Sequence, residues 1–205
     1  MRGHLSSSGH PKSRADFEHN YLLAFYNVVT AVNSSLQLNT VLNLVAEKVA
    51  EAMKAKACSL RLFDPTTRTL IASAAYGLSQ HYLQKGPVKL EKSQLDQEVQ
   101  REHSVYIRNA TTDPRFQYPE KAREEGIVSL FCVPMVSKGQ VLGVLRVYSS
   151  VEREFTSFEE QFLNALASVS AIAIENARLY EALKHDFDQT LWALWGEQPS
   201  GEAVD

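Results

Sequence analysis

The stretch from Val128 to Tyr148, VSLFCVPMVSKGQVLGVLRVY, limits what this chain can fold into more than any other part of it. Two runs rich in Val and Leu flank Ser137-Lys138-Gly139-Gln140, and the Lys-Gly pair supplies the residue tolerant of positive φ that a tight hairpin turn needs. With Val136 opposite Val141, alternation along each strand predicts Leu130, Cys132, Pro134 and Val136 on one face with Val141, Gly143, Leu145 and Val147. The other face then carries Ser129, Phe131, Val133 and Met135 beside Leu142, Val144, Arg146 and Tyr148. Both faces are largely apolar, so the hairpin is interior and each face requires cover.

The cover has to come from the flanking segments. From Phe17, apolar residues recur at Tyr21, Phe25, Val28 and Val32, one stripe of a helix ending near residues 33 to 35. A second helix starts with Asn39 as its cap and runs to about Met53, with Val41, Leu42, Val45, Val49 and Met53 on one face. Ala57 to Phe63 and Thr69 to Tyr76 read as strands around Asp64-Pro65-Thr66-Thr67, whose Asp and Pro suit the first two positions of a turn. The register of this hairpin is open by one residue, so its faces are unassigned. After Gly77 the pattern weakens to a short apolar piece at 88 to 90, a short helix from Ser93 to Glu102 capped by Ser93, and a strand-like Ser104 to Ile107. The polar segment TTDPRFQYPEKAREEG follows, a binding loop or a mobile one. Thr156 and Glu159 have capping-box spacing and open a long helix whose apolar positions Phe162, Leu163, Leu166, Val169, Ile172, Ala173 and Leu179 carry it to about Leu183. Beyond it, Phe187, Leu191, Leu194 and Trp195 keep helical spacing before a fraying tail.

Hairpins imply an antiparallel sheet, and long helices at both ends imply that they share one face of it, an α+β architecture. Gly143 would let the long helix approach, which assigns Leu130, Cys132, Leu145 and Val147 to the helix side. Phe131, Val133, Met135, Arg146 and Tyr148 are then left facing the irregular segment, residues 78 to 127. The division is a polar arm over residues 1–16, a first helix over 17–35, a domain over 36–183 and a helical extension over 184–205.

Composition narrows the function. In 205 residues, 44% hydrophobic and 22% charged, there is material for one domain with extensions. A net charge of -3 without a basic block removes the footprint of a nucleic-acid binder. The two cysteines, Cys58 and Cys132, sit within apolar runs, which fits buried thiols of a cytoplasmic protein better than a disulfide framework. No window reaches the roughly 18 apolar residues of a membrane span. The six histidines are scattered without metal-ligand pairing.

SLFCVPMVSKGQVLGVLRVYS followed by EFTSFEEQFLNALASVSAIAIENARLYEAL resembles the GAF domain, a small-molecule sensing module of signalling proteins. The resemblance rests on Ser-x-x-x-Val-Pro at 129 to 134, Gly-x-x-x-Gly-Val-Leu at 139 to 145, Phe-Thr-x-x-Glu at 155 to 159 and Ala-Ile-x-Asn-Ala-x-Leu-Tyr at 173 to 180, with LQLNTVLNLVAEKV, FDPTTRTL and AAYGLS upstream. It covers Leu36 to Leu183. It implies a central antiparallel sheet with helices on one face, a ligand pocket on the other, and a non-catalytic role in signal transduction. Departures narrow the subtype. The Asn-Lys-Phe-Asp-Glu signature of cyclic-nucleotide members is absent, neither cysteine precedes the His usual in bilin carriers, and both thiols lie in predicted strands rather than in the loop used by members that reduce free methionine sulfoxide. LEKSQLDQEVQRE has no glycine where many members have several.

The candidate ligand-binding residues are Phe131, Arg146, Tyr148 and Tyr76 on strands and Arg115, Phe116 and Tyr118 in the polar segment, since binding residues concentrate on loops. Arg146, a lone guanidinium on an apolar face, must be paired or reach water. A protein carboxylate or solvent at a strand end would serve, and so would a ligand carboxylate or phosphate. The aromatic residues serve equally as core. No cofactor is specified, and the ligand is a small molecule of unstated identity. The terminal helices, longer than one small sheet can cover and expected to lie antiparallel, suit a homodimer through a four-helix interface, with output through a signalling partner protein. The same helices could instead only cover their own sheet. A ligand-free interaction module and a methionine-sulfoxide-reducing enzyme are the alternative readings.

Overall fold

The structure, a computed structural model, describes residues 14–35 and 37–195, with side chains over 18–35 and 37–190. The expected arm lies outside the described residues as far as residue 13, as does the tail beyond Trp195. The elements are α1 (Arg14–Ser34), α2 (Leu38–Ala52), β1 (Ala57–Asp64), β2 (Thr69–Tyr76), α3 (Gln80–Leu83), β3 (Val88–Lys89), α4 (Gln94–Gln100), β4 (Val105–Ile107), α5 (Pro119–Glu125), β5 (Ser129–Ser137), β6 (Gln140–Ser149) and α6 (Ser157–Trp195). The six strands form one antiparallel sheet in the order β3-β2-β1-β6-β5-β4. Helices α1, α2 and α6 cover one face, and α3, α4, α5 and their connections cover the other, so the expected α+β architecture holds. No described helix is long and apolar enough to cross a membrane.

Local chemistry explains the joints. Lys138 and Gly139 both have positive φ, 49° and 73°, giving the two-residue turn that matches strand twist between β5 and β6. Asp64 accepts from the Thr66 amide at 2.9 Å and the Thr67 hydroxyl at 2.7 Å, closing the β1–β2 turn. At α6 the Thr156 hydroxyl accepts from the Glu159 amide at 3.2 Å while the Glu159 carboxylate accepts from the Thr156 amide at 2.9 Å, a complete capping box. Glu159 also accepts from the Tyr21 hydroxyl at 3.1 Å and from Arg153, which donates to the Met53 carbonyl at 2.7 Å, so one carboxylate ties α1 and the end of α2 to α6. Asn39 does not cap α2. The helix starts one residue before it, and Gln37 stands at the cap position without a side-chain cap bond. Two short helices, α3 and α5, occupy segments read as irregular; α5 uses Pro119 at its first position and Gly126 as its left-handed stop.

Three expectations about faces and directions are corrected. Val136 pairs with Val141 as expected, but Met135 then pairs with Gly143, so Leu142 is an extra residue in β6. This bulge moves β5 by one position against β6 and exchanges its faces. Phe131, Val133 and Met135 therefore belong to the helix-side core with Leu145 and Val147, and Leu130 and Cys132 belong to the opposite core with Tyr148. The β6 assignments hold from Gly143 onward, the β5 assignments reverse, and Leu142, expected beside Val144 and Arg146, joins the helix-side core. Gly143 makes room for a strand rather than for the helix: a Cβ there would lie 2.2 Å from the Arg61 carbonyl and 2.7 Å from Met135 Cε. The third correction concerns α1 and α6. Tyr21 near the start of α1 packs on Phe158 and Phe162 at the start of α6, with ring centroids 5.2 and 4.6 Å apart, while residues 37 to 40 after α1 lie beside residues 177 to 181. The two helices run in the same direction, and the antiparallel partner of α6 is α2.

The stripe Tyr21, Phe25, Val28 and Val32 packs on the chain's own core, as do Leu42, Val45, Val49 and Met53 of α2, and Val41 is buried too. On α6, Phe162, Leu163, Leu166 and Ile174 are buried, whereas Ile172 and Leu179, expected on that face, point outward. G143A should lower stability by about 2–3 kcal/mol in urea unfolding, because backbone of β1 cannot yield to the new methyl. G139A, where nothing lies within 4 Å, should cost only about 1 kcal/mol of left-handed backbone strain.

Candidate functional site

The face of the sheet beneath α3, α4 and α5 holds charge as well as apolar side chains. In β1, Ala57, Ser59 and Arg61 pair with Tyr148, Arg146 and Val144 of β6, which places Ser59, Arg61, Arg146 and Tyr148 side by side on that face. Ser59 Oγ and Tyr148 Oη share a hydrogen bond of 3.0 Å. From above, α3 lowers Tyr82 edge-to-face onto Tyr148 with centroids 6.2 Å apart, its start fixed by Ser79 accepting from the Tyr82 amide at 3.1 Å. Helix α4 is capped by Ser93, whose hydroxyl donates to Asp96 at 2.6 Å, and Asp96 accepts from Arg146 Nη2. Arg61, Arg146, Asp96 and Tyr82 are each 1% exposed.

Two arginines and one carboxylate leave a buried positive charge without a protein counter-ion in this cluster. Burial opposes the charge on Arg146, and the Asp96 carboxylate outweighs it, holding that guanidinium ionised. Arg61 Nε and Nη2, Arg146 Nε and Tyr82 Oη have no hydrogen-bond partner among the described residues. Lys85 lies over the Tyr82 ring, with Nζ 3.4 Å from its centroid and donating to the Tyr82 carbonyl at 3.2 Å. Burial, and then the repulsion of Arg61 and Arg146, push its pKa from 10.5 down to about 6, against a weaker pull from Glu125. Glu125 is engaged by the Ser79 amide at 2.9 Å and by the Ser79 hydroxyl, a latch joining α5 to α3.

The candidate residues are distributed as follows. Arg146 and Tyr148 meet in the cluster. Phe131 does not: the β6 bulge puts it on the helix side, stacked on Phe155 at 5.1 Å. Tyr76 pairs with Cys58, a helix-side residue, and is 43% exposed. Arg115 is spent on the protein, donating to both Asp113 oxygens at 3.0 and 2.8 Å, to Glu98 at 3.3 Å and to the Tyr106 carbonyl at 3.2 Å. Phe116 is buried in the apolar core around the cluster, and Tyr118 packs at its edge and donates to the Pro87 carbonyl at 2.9 Å. Arg61, Tyr82, Lys85, Asp96 and Ser59 were not singled out from sequence. The alternation Ala57, Ser59, Arg61 would have pointed to Arg61, but a second bulge, between Leu60 and Arg61, keeps the β1–β2 register from fixing a face. The thiols lie on opposite faces of the sheet, and burial pushes Cys132 up to about 12 and Cys58 higher still. Among the described residues no group of three or more His, Cys, Asp and Glu could hold a metal.

D96A should cost about 3–5 kcal/mol in urea unfolding, because it strands Arg146 in the interior, and the double change D96L/R146M should recover most of that loss. Lys85 binds fewer protons folded than unfolded between pH about 6 and 10.5, so its contribution makes stability rise with pH across that window. The urea midpoint should therefore increase from pH 6.5 to 7.5, where few unfolded thiols have ionised, and K85M should flatten that slope.

Residues 35–175 match the sequence profile of the GAF domain. The fold is similar to that of the GAF domain of a phosphoenolpyruvate-protein phosphotransferase from Coxiella burnetii, 27% identical, TM-score 0.72, covering 83% of this chain and 99% of that one. A free methionine-R-sulfoxide reductase from Neisseria meningitidis is 17% identical with a TM-score of 0.68 over 85% of this chain and 99% of that one. A segment of a methyl-accepting chemotaxis protein is 22% identical with a TM-score of 0.64 over 76% and 99%. The matched profile spans more than half of the 205 residues, and with the antiparallel sheet covered by terminal helices on one face and short helices over a charged cluster on the other, the chain belongs to the GAF domain family.

Proposed function

We propose that this chain is a cytoplasmic sensory module that binds a small molecule beneath α3, α4 and α5 and passes occupancy to α1 and α6. The carrying observation is the set of unpartnered buried donors on Arg61, Arg146 and Tyr82. An unmet buried donor costs about 1–3 kcal/mol and more when charged, a cost that a bound ligand removes. Strand β6 is the relay: Arg146 and Tyr148 face the cluster, while the residues between and before them, Val147 and Leu145, sit in the core under the helices. A ligand that repositions Arg146 moves those neighbours by the stiffness of one strand, and the response is a shift in population between helix arrangements. Similarity to domains from a phosphotransferase and a chemotaxis protein supports a regulatory role with output through a partner protein.

The terminal helices are read as a homodimer surface. Ile172, Leu179 and Leu183 are 51, 62 and 69% exposed and follow one another at steps of seven and four, the spacing of a coiled-coil seam, and α1 adds Leu22 and Tyr26. A second copy of the same helices is the occupant that matches this repeat. The sulfoxide-reducing reading draws no support from thiols on opposite faces of the sheet with raised pKa values. The ligand-free interaction module is favoured by one observation: Tyr82, Leu95 and Phe116 fill much of the space over the sheet.

Light scattering of the purified chain should report a dimer at tens of micromolar, and L179D/L183D should yield a monomer whose melting temperature stays within a few degrees. A thermal-shift and mass-spectrometric screen against metabolite pools should find a stabilising compound, and a spin label at position 183 should report a changed inter-copy distance when it binds. Stabilisation without any change at the label would refute transmission through α6. A dimer indifferent to every pool would favour the interaction module.

A further inference from the structure

The unpartnered atoms of Arg61 specify a ligand class. In a guanidinium, Nε–H and Nη2–H point in the same direction along one edge, spaced to meet two oxygens of a carboxylate or phosphate at once. On Arg61 both atoms of that edge lack a partner among the described residues, on a side chain 1% exposed. A structural arginine would have spent this edge, as Arg115 does on both oxygens of Asp113. Tyr82, close enough to feel the charges of Arg61 and Arg146, leaves its hydroxyl unpartnered as well.

We infer that the ligand carries a compact oxyanion, a carboxylate or a phosphate, seated two-pronged on the Nε–Nη2 edge of Arg61, with the Tyr82 hydroxyl donating a further hydrogen bond. The inference rests on the sensory reading and sharpens it. Charge balance supports it independently of hydrogen bonding: Asp96 answers Arg146, and Glu125 of α5 is occupied by Ser79, so Arg61 has no counter-ion among the described residues. The pKa of Lys85 is lowered first by its burial and then by the charges of Arg61 and Arg146. Ser59 and Tyr148 are joined by a hydrogen bond and Tyr82 packs edge-to-face on Tyr148, so a bulky ligand at Arg61 has to shift α3.

The test is calorimetry and thermal shift on the full chain at low ionic strength. The probes are sodium phosphate, acetate, malonate and succinate, the amides acetamide, malonamide and succinamide, and a set of neutral metabolites. At least one anion should bind once per chain, about 100-fold tighter than its amide. Success of phosphate alone, or of the carboxylates alone, names the source of the oxyanion. R61M should abolish that binding while raising the melting temperature of the empty protein by about 3–6 °C, because it removes an unpaired buried charge; a structural arginine would give the opposite sign. Y82F should weaken binding by about 10-fold and leave folding intact. Amides binding as well as anions, R61M binding unchanged, or equal weak binding of all anions that disappears with added salt would each overturn the inference. A neutral metabolite that binds where every anion fails would overturn it and leave the sensory reading standing, whereas failure of both sets would remove the two together.

Discussion

Arg146 is sealed from water, and its charge is held inside the molecule by Asp96, which arrives from a different element. Strand β6 supplies the guanidinium and α4 supplies the carboxylate, so this one interaction fastens the short-helix layer to the sheet. Ser93 positions Asp96 by capping α4 and by donating to it, which makes the helix start and the ion pair one unit. A buried pair of this kind returns little net stability compared with an apolar substitute, because both charges must be stripped of water. Its value is geometric. It fixes where α4 sits and defines the electrostatics of the space beside it, in which Arg61 stands with a free edge.

Hydrogen bonding around Arg61 is incomplete. The core on this face is apolar, with Leu130, Cys132, Val144 and Leu95, and the polar atoms entering it are few. Low-dielectric walls strengthen whatever interaction is made there and raise the cost of leaving it unmade. Helices α3 and α5 over it are joined by surface contacts of modest strength, Ser79 to Glu125 and His81 to Glu124, and are anchored below by Tyr82 and Ala122 in the core. On the other face of the sheet the organisation is of a different kind. Glu159 collects Thr156, Tyr21 and Arg153, so the beginning of α6, the end of α2 and α1 are locked together, while the far part of α6 continues past the sheet with its apolar side chains exposed. A rigid origin and a free end suit a helix that reports a small change as a larger displacement.

Much of the fold was legible because it rests on local chemistry. The capping box at Thr156 and Glu159, the Lys138-Gly139 turn, the Asp64 turn and the 3.6-residue periodicity of α1 and α2 are each complete within a few residues, and each appears where the sequence puts it. The candidate site was legible in part. Arg146 and Tyr148 stand out because charge and hydroxyl groups on an apolar strand require partners. Phe131 was drawn to the wrong face because alternation carries no mark of the extra residue at Leu142. Arg61 was missed because the β1–β2 register stayed open: the pairing steps from Leu60–Ala74 to Arg61–Ala72, leaving Ser73 of β2 as the extra residue.

The sequence by itself determined the two hairpins, the long helices and their order, the turn residues, the capping box of α6, and the family to which the chain belongs, since all of these depend on spacing along the chain. Only the tertiary structure decided which side of the sheet each β5 side chain occupies, that α1 runs parallel to α6, that Gly143 yields to β1, and that Asp96, Tyr82 and Lys85 converge on Arg61 and Arg146. The physical reason is that one inserted residue in a strand reverses every face beyond it at little local cost. Partners brought together from residues 61, 82, 96 and 146 are chosen by packing across the sheet rather than by any neighbour in the chain.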